Sequence, residues 1–152
     1  MRSYNHALRA TAVAVAGIFF GIALYISLAE QPARLALPAA PMLAQWKISF
    51  ATGIAIQGTL AIVTGLLGLM SWWLSRDPRW LVGGLASLAN WPWTLVIIAP
   101  LNAALNATAP DSAGAASAVL VERWGLMHNV RTVLGLCALV MFTWASSRRD
   151  GE

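Results

Sequence analysis

Apolar residues along the chain gather into four long runs separated by short polar intervals. The first is Ala10 to Ala29, ATAVAVAGIFFGIALYISLA. The second covers about Ile48 to Leu74 and the third about Trp80 to Asn102. The fourth covers about residues 117–146, with its most apolar part from Trp124 to Ala145. Each approaches or exceeds the roughly 20 residues that an α-helix needs to cross a bilayer. The connections are short, so neighbouring helices run antiparallel. The pattern predicts an all-α fold, a four-transmembrane-helix antiparallel bundle, formed by a single integral membrane domain over residues 1–152.

Inside the runs, small and polar residues recur three or four positions apart, which puts them on one helix face. The stripes are Gly17, Gly21 and Tyr25; Gly53, Gln57, Ala61 and Gly65; Gly83, Ser87, Asn90 and Thr94; and Trp124, His128, Arg131 and Gly135. Small residues let helices approach closely, and isolated amides hydrogen-bond across the contact. Each stripe alone therefore reads as packing, and GIFFG (Gly17 to Gly21) as a close-packing motif. Four together predict a shared polar interior. The glycine-rich faces also suit a homo-oligomer.

Depth sharpens the picture. Antiparallel alternation brings Glu30, Arg34, Asn102, His128 and Arg131 towards one membrane side. Counted from Trp124 at 1.5 Å per residue, His128 lies about 6 Å and Arg131 about 10 Å further in. A charge at the centre of a membrane helix costs roughly 2.5–3.5 kcal/mol on insertion scales. Arg131 must therefore snorkel outward or find a buried partner, and Glu30 is the expected one. In NWPWT, Pro92 removes a backbone hydrogen bond and kinks the third helix. Trp91 and Trp93 diverge, so only one of them readily lines a pocket. Trp46, Trp72, Trp73, Trp80, Trp124 and Trp144 sit at segment ends, as an interfacial aromatic belt does.

Composition agrees with membrane: 59% of residues are hydrophobic and 11% charged, where soluble domains average about a quarter charged. The net charge of +4 is scattered, so no nucleic-acid partner is expected; the partners expected are the lipid bilayer and a lipophilic small molecule. Cys137 stands alone, which removes an intrachain disulfide or a cysteine metal cluster. With two histidines in the chain, no multi-histidine metal site is expected; haem on His128 alone stays open as an alternative. No phosphate-binding glycine loop, HExxH, CxxC or GxSxG motif is present. Arg2 and Arg9 precede the first run, and SLA before Glu30 resembles a signal-peptidase site. Its apolar core is longer than a signal peptide's, so a retained helix is expected. Arg2, Arg9, Arg76, Arg79, Arg148 and Arg149 fall on the side of the termini; Arg34, Lys47, Arg123 and Arg131 fall opposite. That bias puts both termini in the cytoplasm, in a bacterial inner membrane, with the Glu30–Lys47 and Ala103–Arg123 connections outside.

The blocks AEQPARLAL, QWKISFATGIAIQGTLA, ANWPWTLVIIAPLN and ERWGLMHNVRTVLG resemble the anthrone oxygenase-like family of small integral membrane proteins, from about Tyr25 to Trp144. The resemblance implies oxidation of an anthrone to an anthraquinone by molecular oxygen, the activity of fungal members, and brings no established cofactor. The family's recurring positions correspond to Glu30, Pro32, Arg34, Trp46, Gln57, Asn90, Trp91, Pro92, Asn102, Trp124, His128 and Arg131. An anthrone-like methylene is acidified by its flanking rings and carbonyl, so His128 is the expected base. Arg131 is expected to stabilise the oxyanion, with Asn102 or Asn90 orienting it. Glu30, Arg34, Gln57, Asn90, Trp91, Asn102 and Trp124 are the expected substrate-binding residues, with no metal ligand among them. The expected function is a membrane oxidoreductase or oxygenase acting on a planar, lipophilic, anthrone- or quinone-like molecule. The alternative is a non-catalytic binding or transport module for a quinone, lipid or haem.

Overall fold

The computed structural model describes residues 2–147, with side chains from residue 5. Four helical spans carry most of them: α1 (Asn5–Leu35, helical already from Arg2), α2 (Ala39–Ser75), α3 (Pro78–Ala107) and α4 (Ala115–Ser147). Each is long and apolar enough to cross a membrane. They form a four-cornered bundle in which α2 packs on α1 and α3, and α4 packs on α3 and α1. The diagonal between α2 and α4 is also in contact. No strand occurs among the described residues. Arg148 and Arg149, part of the charge bias, lie outside them.

The helices run further than the apolar runs. α1 continues to Leu35 and α2 begins at Ala39, so most of the expected Glu30–Lys47 connection is helix. Pro38, extended at φ −56° and ψ 156°, is the N-cap of α2, and Pro41 falls in the first turn, where its missing N–H has no helical partner to lose. The Ala103–Arg123 connection likewise shrinks to residues 108–114, around a 3₁₀ turn at Pro110–Ser112. At the other end, Arg76 closes α2 in the left-handed region (φ 59°) and donates its N–H to the Trp72 carbonyl at 2.7 Å. Asp77 then caps α3 by accepting the Arg79 N–H at 3.0 Å, with Pro78 in the first turn.

The bundle has a closed half and an open half. In the closed half, near the α2–α3 turn, glycines bring backbones into contact. A Cβ on Gly68 would lie 2.8 Å from the Gly84 Cα and 2.5 Å from the Phe142 ring; one on Gly65 would lie 2.4 Å from the Leu88 Cγ. Trp80 packs on Phe142 at 4.9 Å, beside Ala12, Ala16 and Ala145. Gly65 and Gly83 are therefore consumed inside the chain, and so is Gly135, where a Cβ would meet Phe19 at 2.7 Å. Gly17 and Gly21 behave otherwise. Gly21 is exposed with nothing within 4 Å of its would-be Cβ. The inward stripe of α1 is Ala12, Ala16, Phe19 and Ala23, which Gly17 borders and Gly21 misses. The aromatic-belt reading suits Trp73 and Trp144, which are exposed, but not Trp46, Trp80 and Trp124, which are buried.

In the open half, two helices carry π turns: Ile26–Glu30 in α1 and Thr94–Ile98 in α3. Each is followed by one residue and then a proline, Pro32 and Pro100. A proline ring lacks an N–H and crowds the carbonyl four residues back. The residue just before it bonds five residues back instead, Gln31 to Ile26 and Ala99 to Thr94. Around Pro92, α3 is interrupted at Ala89. Asn90 bridges the break by donating its side-chain amide to the Ser87 carbonyl at 3.0 Å and, more weakly, to the Ala86 carbonyl at 3.5 Å.

The closed half sets the first prediction. Gly68→Ala forces the α2 and α3 backbones apart and should lower stability by about 1–3 kcal/mol, whereas Gly21→Ala should change it by less than about 0.5 kcal/mol. Equilibrium unfolding in mixed micelles measures both; equal losses would contradict this division of the glycines.

Candidate active site in the open half

Extension of α1 past Ala29 puts Glu30 and Arg34 one turn apart on the same helix, where they pair. Arg34, 1% exposed, is the hub of this end. Its guanidinium donates to Glu30, Gln45, Gln31 and, at 2.8 Å, the Ser49 hydroxyl. It also lies 5.5 Å from the Trp124 ring centroid. Gln31 passes the tie on by donating to the Val121 carbonyl at 2.9 Å. One cation thereby joins α1, α2 and α4. The expected Glu30–Arg131 pairing is not formed: an i,i+4 partner on the same helix claims Glu30 first.

Trp124 is held from three sides. Its Nε1–H donates to Asn102 Oδ1 at 2.9 Å, Trp46 meets it edge-on at 6.0 Å, and His128 stacks on it at 5.0 Å and 25°. Below lies a cavity of about 220 Å³. Its wall includes Glu30, Arg34, Gln57, Asn102, Trp124, His128 and Arg131, together with Ile26, Thr94 and Ile98 from the two π turns. A smaller chamber of about 100 Å³ adjoins it, lined by Asn90 and Trp91 and sharing Asn102 and Arg131 with the first. All the site residues expected from the sequence thus line one or both spaces. Trp93 lines neither; its Nε1–H donates to the Met127 carbonyl at 3.0 Å and ties α3 to α4.

The orientation of His128 follows from a chain of hydroxyls that the sequence reading did not single out. Thr132 Oγ1 donates to the Ala23 carbonyl at 3.2 Å, which uses its one proton. The 2.9 Å contact between Ser27 and Thr132 then needs the Ser27 proton. Ser27 Oγ is left as the acceptor for His128 Nδ1 at 3.5 Å. This network assigns the His128 proton to Nδ1 and turns the Nε2 lone pair towards Gln57, whose amide oxygen lies 3.4 Å away. The Gln57 NH₂ is buried without an acceptor; a half-turn of that amide, a choice set by the hydrogen-bond network, offers it to Nε2. The signal available in the sequence was the i,i+4 spacing of His128 and Thr132.

Arg131 is the opposite of Arg34. It is 7% exposed, its Nε has no partner, and no hydrogen bond or ion pair reaches its guanidinium among the described residues. Asn102 accepts from Trp124 and keeps its NH₂ unengaged, so it can serve an oxyanion. Asn90 cannot, because its NH₂ is spent on the α3 break and only an acceptor oxygen, buried and unpartnered, remains. A haem on His128 does not fit: its ring nitrogens face Ser27 and Gln57, and one face of the ring is covered by Trp124. No group of three or more His, Cys, Asp or Glu converges among the described residues.

This arrangement, a directed imidazole beside an unpaired guanidinium within an apolar bundle, occupies a segment that matches the anthrone oxygenase family over residues 46–141. The chain belongs to the anthrone oxygenase family. An anthrone oxygenase of Claviceps purpurea (strain 20.1) is 30% identical over 120 residues, covering 70% of this chain and 69% of the relative. No solved structure matches. Within this anthrone oxygenase family member, the family match takes in Gln57, Asn90, Trp91, Asn102, Trp124, His128 and Arg131, while Glu30 and Arg34 precede it. The resemblance of the AEQPARLAL block therefore lies outside the family match.

Two outcomes check this geometry. Arg34→Leu removes the buried cation and leaves the half-buried Glu30 unpaired. It should cost about 1–3 kcal/mol, part of it recovered in the Arg34→Leu/Glu30→Leu double variant; unfolding of the four-member cycle measures the coupling. In ¹⁵N-histidine NMR only His6 and His128 report. His128 should show the Nδ1-protonated tautomer, lost or mixed in Thr132→Val; an Nε2-protonated wild type would refute the hydroxyl chain.

Proposed function

We propose that the protein is a membrane oxygenase that oxidises a planar, lipophilic, anthrone- or quinone-like molecule held in the open half of the bundle. The observation that carries the proposal is Arg131: an unpaired guanidinium in the wall of the cavity that His128 also lines. An unpaired charge in an apolar interior is costly, and it is well used where negative charge develops during reaction.

The chemistry follows from these positions. His128 Nε2 removes a proton from the substrate's activated methylene, leaving an enolate whose oxygen Arg131 and the Asn102 NH₂ stabilise. The enolate gives up electrons to oxygen, and the carbon–oxygen bond formed yields a hydroperoxide. Loss of its remaining C–H proton and cleavage of the O–O bond release water and leave a second carbonyl. One substrate and one O₂ give one quinone and one H₂O. The apolar walls admit the substrate from the bilayer, and Trp91 offers a flat surface to it. On the arginine bias, both termini are cytoplasmic in a bacterial inner membrane, and the open half lies towards the opposite face.

Oxygen uptake by the purified protein with an anthrone substrate tests this reading. His128→Ala should lower kcat about 10²–10⁴-fold and Arg131→Gln about 10²–10³-fold, both with expression retained. Wild-type protein that binds the substrate but takes up no oxygen would instead support the non-catalytic binding module.

A further inference from the structure

The four seams of the bundle differ at the depth of the larger cavity. Three are stitched by hydrogen bonds. Thr132 joins α4 to α1, through the Ala23 carbonyl at 3.2 Å and Ser27 at 2.9 Å. Trp93 reaches the Met127 carbonyl and Trp124 reaches Asn102, which closes α3 on α4. Trp91 donates to the Gly58 carbonyl at 3.2 Å and closes α3 on α2. Between α1 and α2 the bonds gather at the outer end, where Arg34 and Glu30 meet Gln45 and Ser49; none crosses at the depth of Thr52 to Ile56 among the described residues.

That unstitched stretch is also where lipid-facing side chains double as cavity wall. Tyr25 is 62% exposed and Ile56 46%, yet both line the cavity, together with Ile22, Thr52 and Gly53. A Cβ on Gly53 would meet nothing within 4 Å, so this glycine, unlike Gly65 and Gly68, is not spent on a helix contact. The edges can part here without breaking a hydrogen bond. In a bilayer that is decisive, because no water replaces a bond lost within the apolar layer. The aqueous approach is different. An open groove of about 530 Å³ at the outer end shares Tyr25, Glu30 and Arg34 with the cavity. Glu30 and Arg34 are bonded to each other and to Gln45, so passage from the groove must open the polar hub.

We propose that the seam between α1 and α2 is the lateral portal through which a lipophilic ligand passes between bilayer and cavity, with Tyr25 and Thr52 at its edges setting what it admits. The inference rests on the proposed function for its premise that the cavity holds such a ligand. A side chain at the portal acts on entry and exit together: it changes both rates by the same factor and leaves affinity alone. A side chain that grips the bound ligand changes affinity instead. This difference separates a route from a binding contact.

The test is stopped-flow quenching of tryptophan emission in mixed micelles, with 9,10-anthraquinone as the probe, a flat quinone that the proposed reaction cannot oxidise further. Trp124 in the cavity wall supplies a reporter. Thr52→Phe narrows the seam and should lower kon and koff alike by about tenfold, with Kd held within about twofold. Ile56→Phe repeats the measurement on the same edge should Thr52→Phe not fold. Tyr25→Ala, on the opposite edge, should raise both rates by about threefold or more. Leu95→Phe in the α2–α3 seam and Leu37→Phe in the outer groove should change neither rate. Rates indifferent to a folded Thr52 or Ile56 variant, or lowered by Leu95→Phe or Leu37→Phe instead, would overturn the portal. A Kd that moves with kon at constant koff, or a wild type that is not quenched, would do the same. Oxygen uptake with anthrone, measured separately, distinguishes the two readings. Rates as described without turnover sink the oxygenase and keep the portal, and turnover with rates indifferent to the seam does the reverse.

Discussion

A guanidinium withdrawn from water must be met by acceptors, and at the open end of this bundle Arg34 is met from all sides. Glu30 and Gln31 come from its own helix, Gln45 and Ser49 from α2, and the Trp124 ring from α4. Because those partners sit on three helices, satisfying one cation fixes the spacing of α1, α2 and α4 where the cavity opens. The low dielectric that makes such a charge expensive when bare also makes it a strong organiser when paired. Trp124 inherits its position from this hub, and His128 is stacked on Trp124.

The second arginine shows what the first makes possible. Arg131 sits deeper and is left without a partner, a state the bundle tolerates because the closed half and the Arg34 hub hold the helices whatever happens between them. In the closed half, contacts between Gly68 and Gly84 and around Phe142 bring the helix backbones together. In the open half, bulky Trp46, Trp93 and Trp124 and the two π turns keep the helices apart. Stability and chemistry are thereby assigned to different depths of the same four helices.

The four spans were legible in the sequence because an uninterrupted apolar run has few other uses, and the polar convergence was legible because antiparallel alternation is simple arithmetic. Pairing was harder. Glu30 and Arg34 read as loop residues because the apolar run stops at Ala29, yet the helix continues to Leu35 and makes them i,i+4 neighbours; hydropathy does not see a helix that emerges from the apolar run. The tryptophans at segment ends fitted a belt by depth alone, since rotation about the helix axis decides whether they face lipid or core. Ser27 and Thr132 were hard to read for a third reason, with the i,i+4 spacing of Thr132 from His128 the one cue. A hydroxyl in a membrane helix usually bonds its own backbone, and only the juxtaposition of α1 and α4 turns these two towards His128. The division of the polar interior into two chambers depends on where α3 breaks, and Pro92 signalled a kink without saying which side chain would bridge it.

The π turns have an evolutionary consequence. A π turn is an α-helix holding one residue more than its rise requires, so everything beyond it is rotated by about 100° relative to an uninterrupted helix. Deleting one residue within Ile26–Glu30 would swing Arg34 away from its partners while leaving composition, length class and hydropathy of α1 almost unchanged. The same holds for Asn102 beyond Thr94–Ile98. A pocket of this kind is gained or erased by a single-codon insertion or deletion, and chains of this architecture that look alike in hydropathy can differ in whether they possess a site at all.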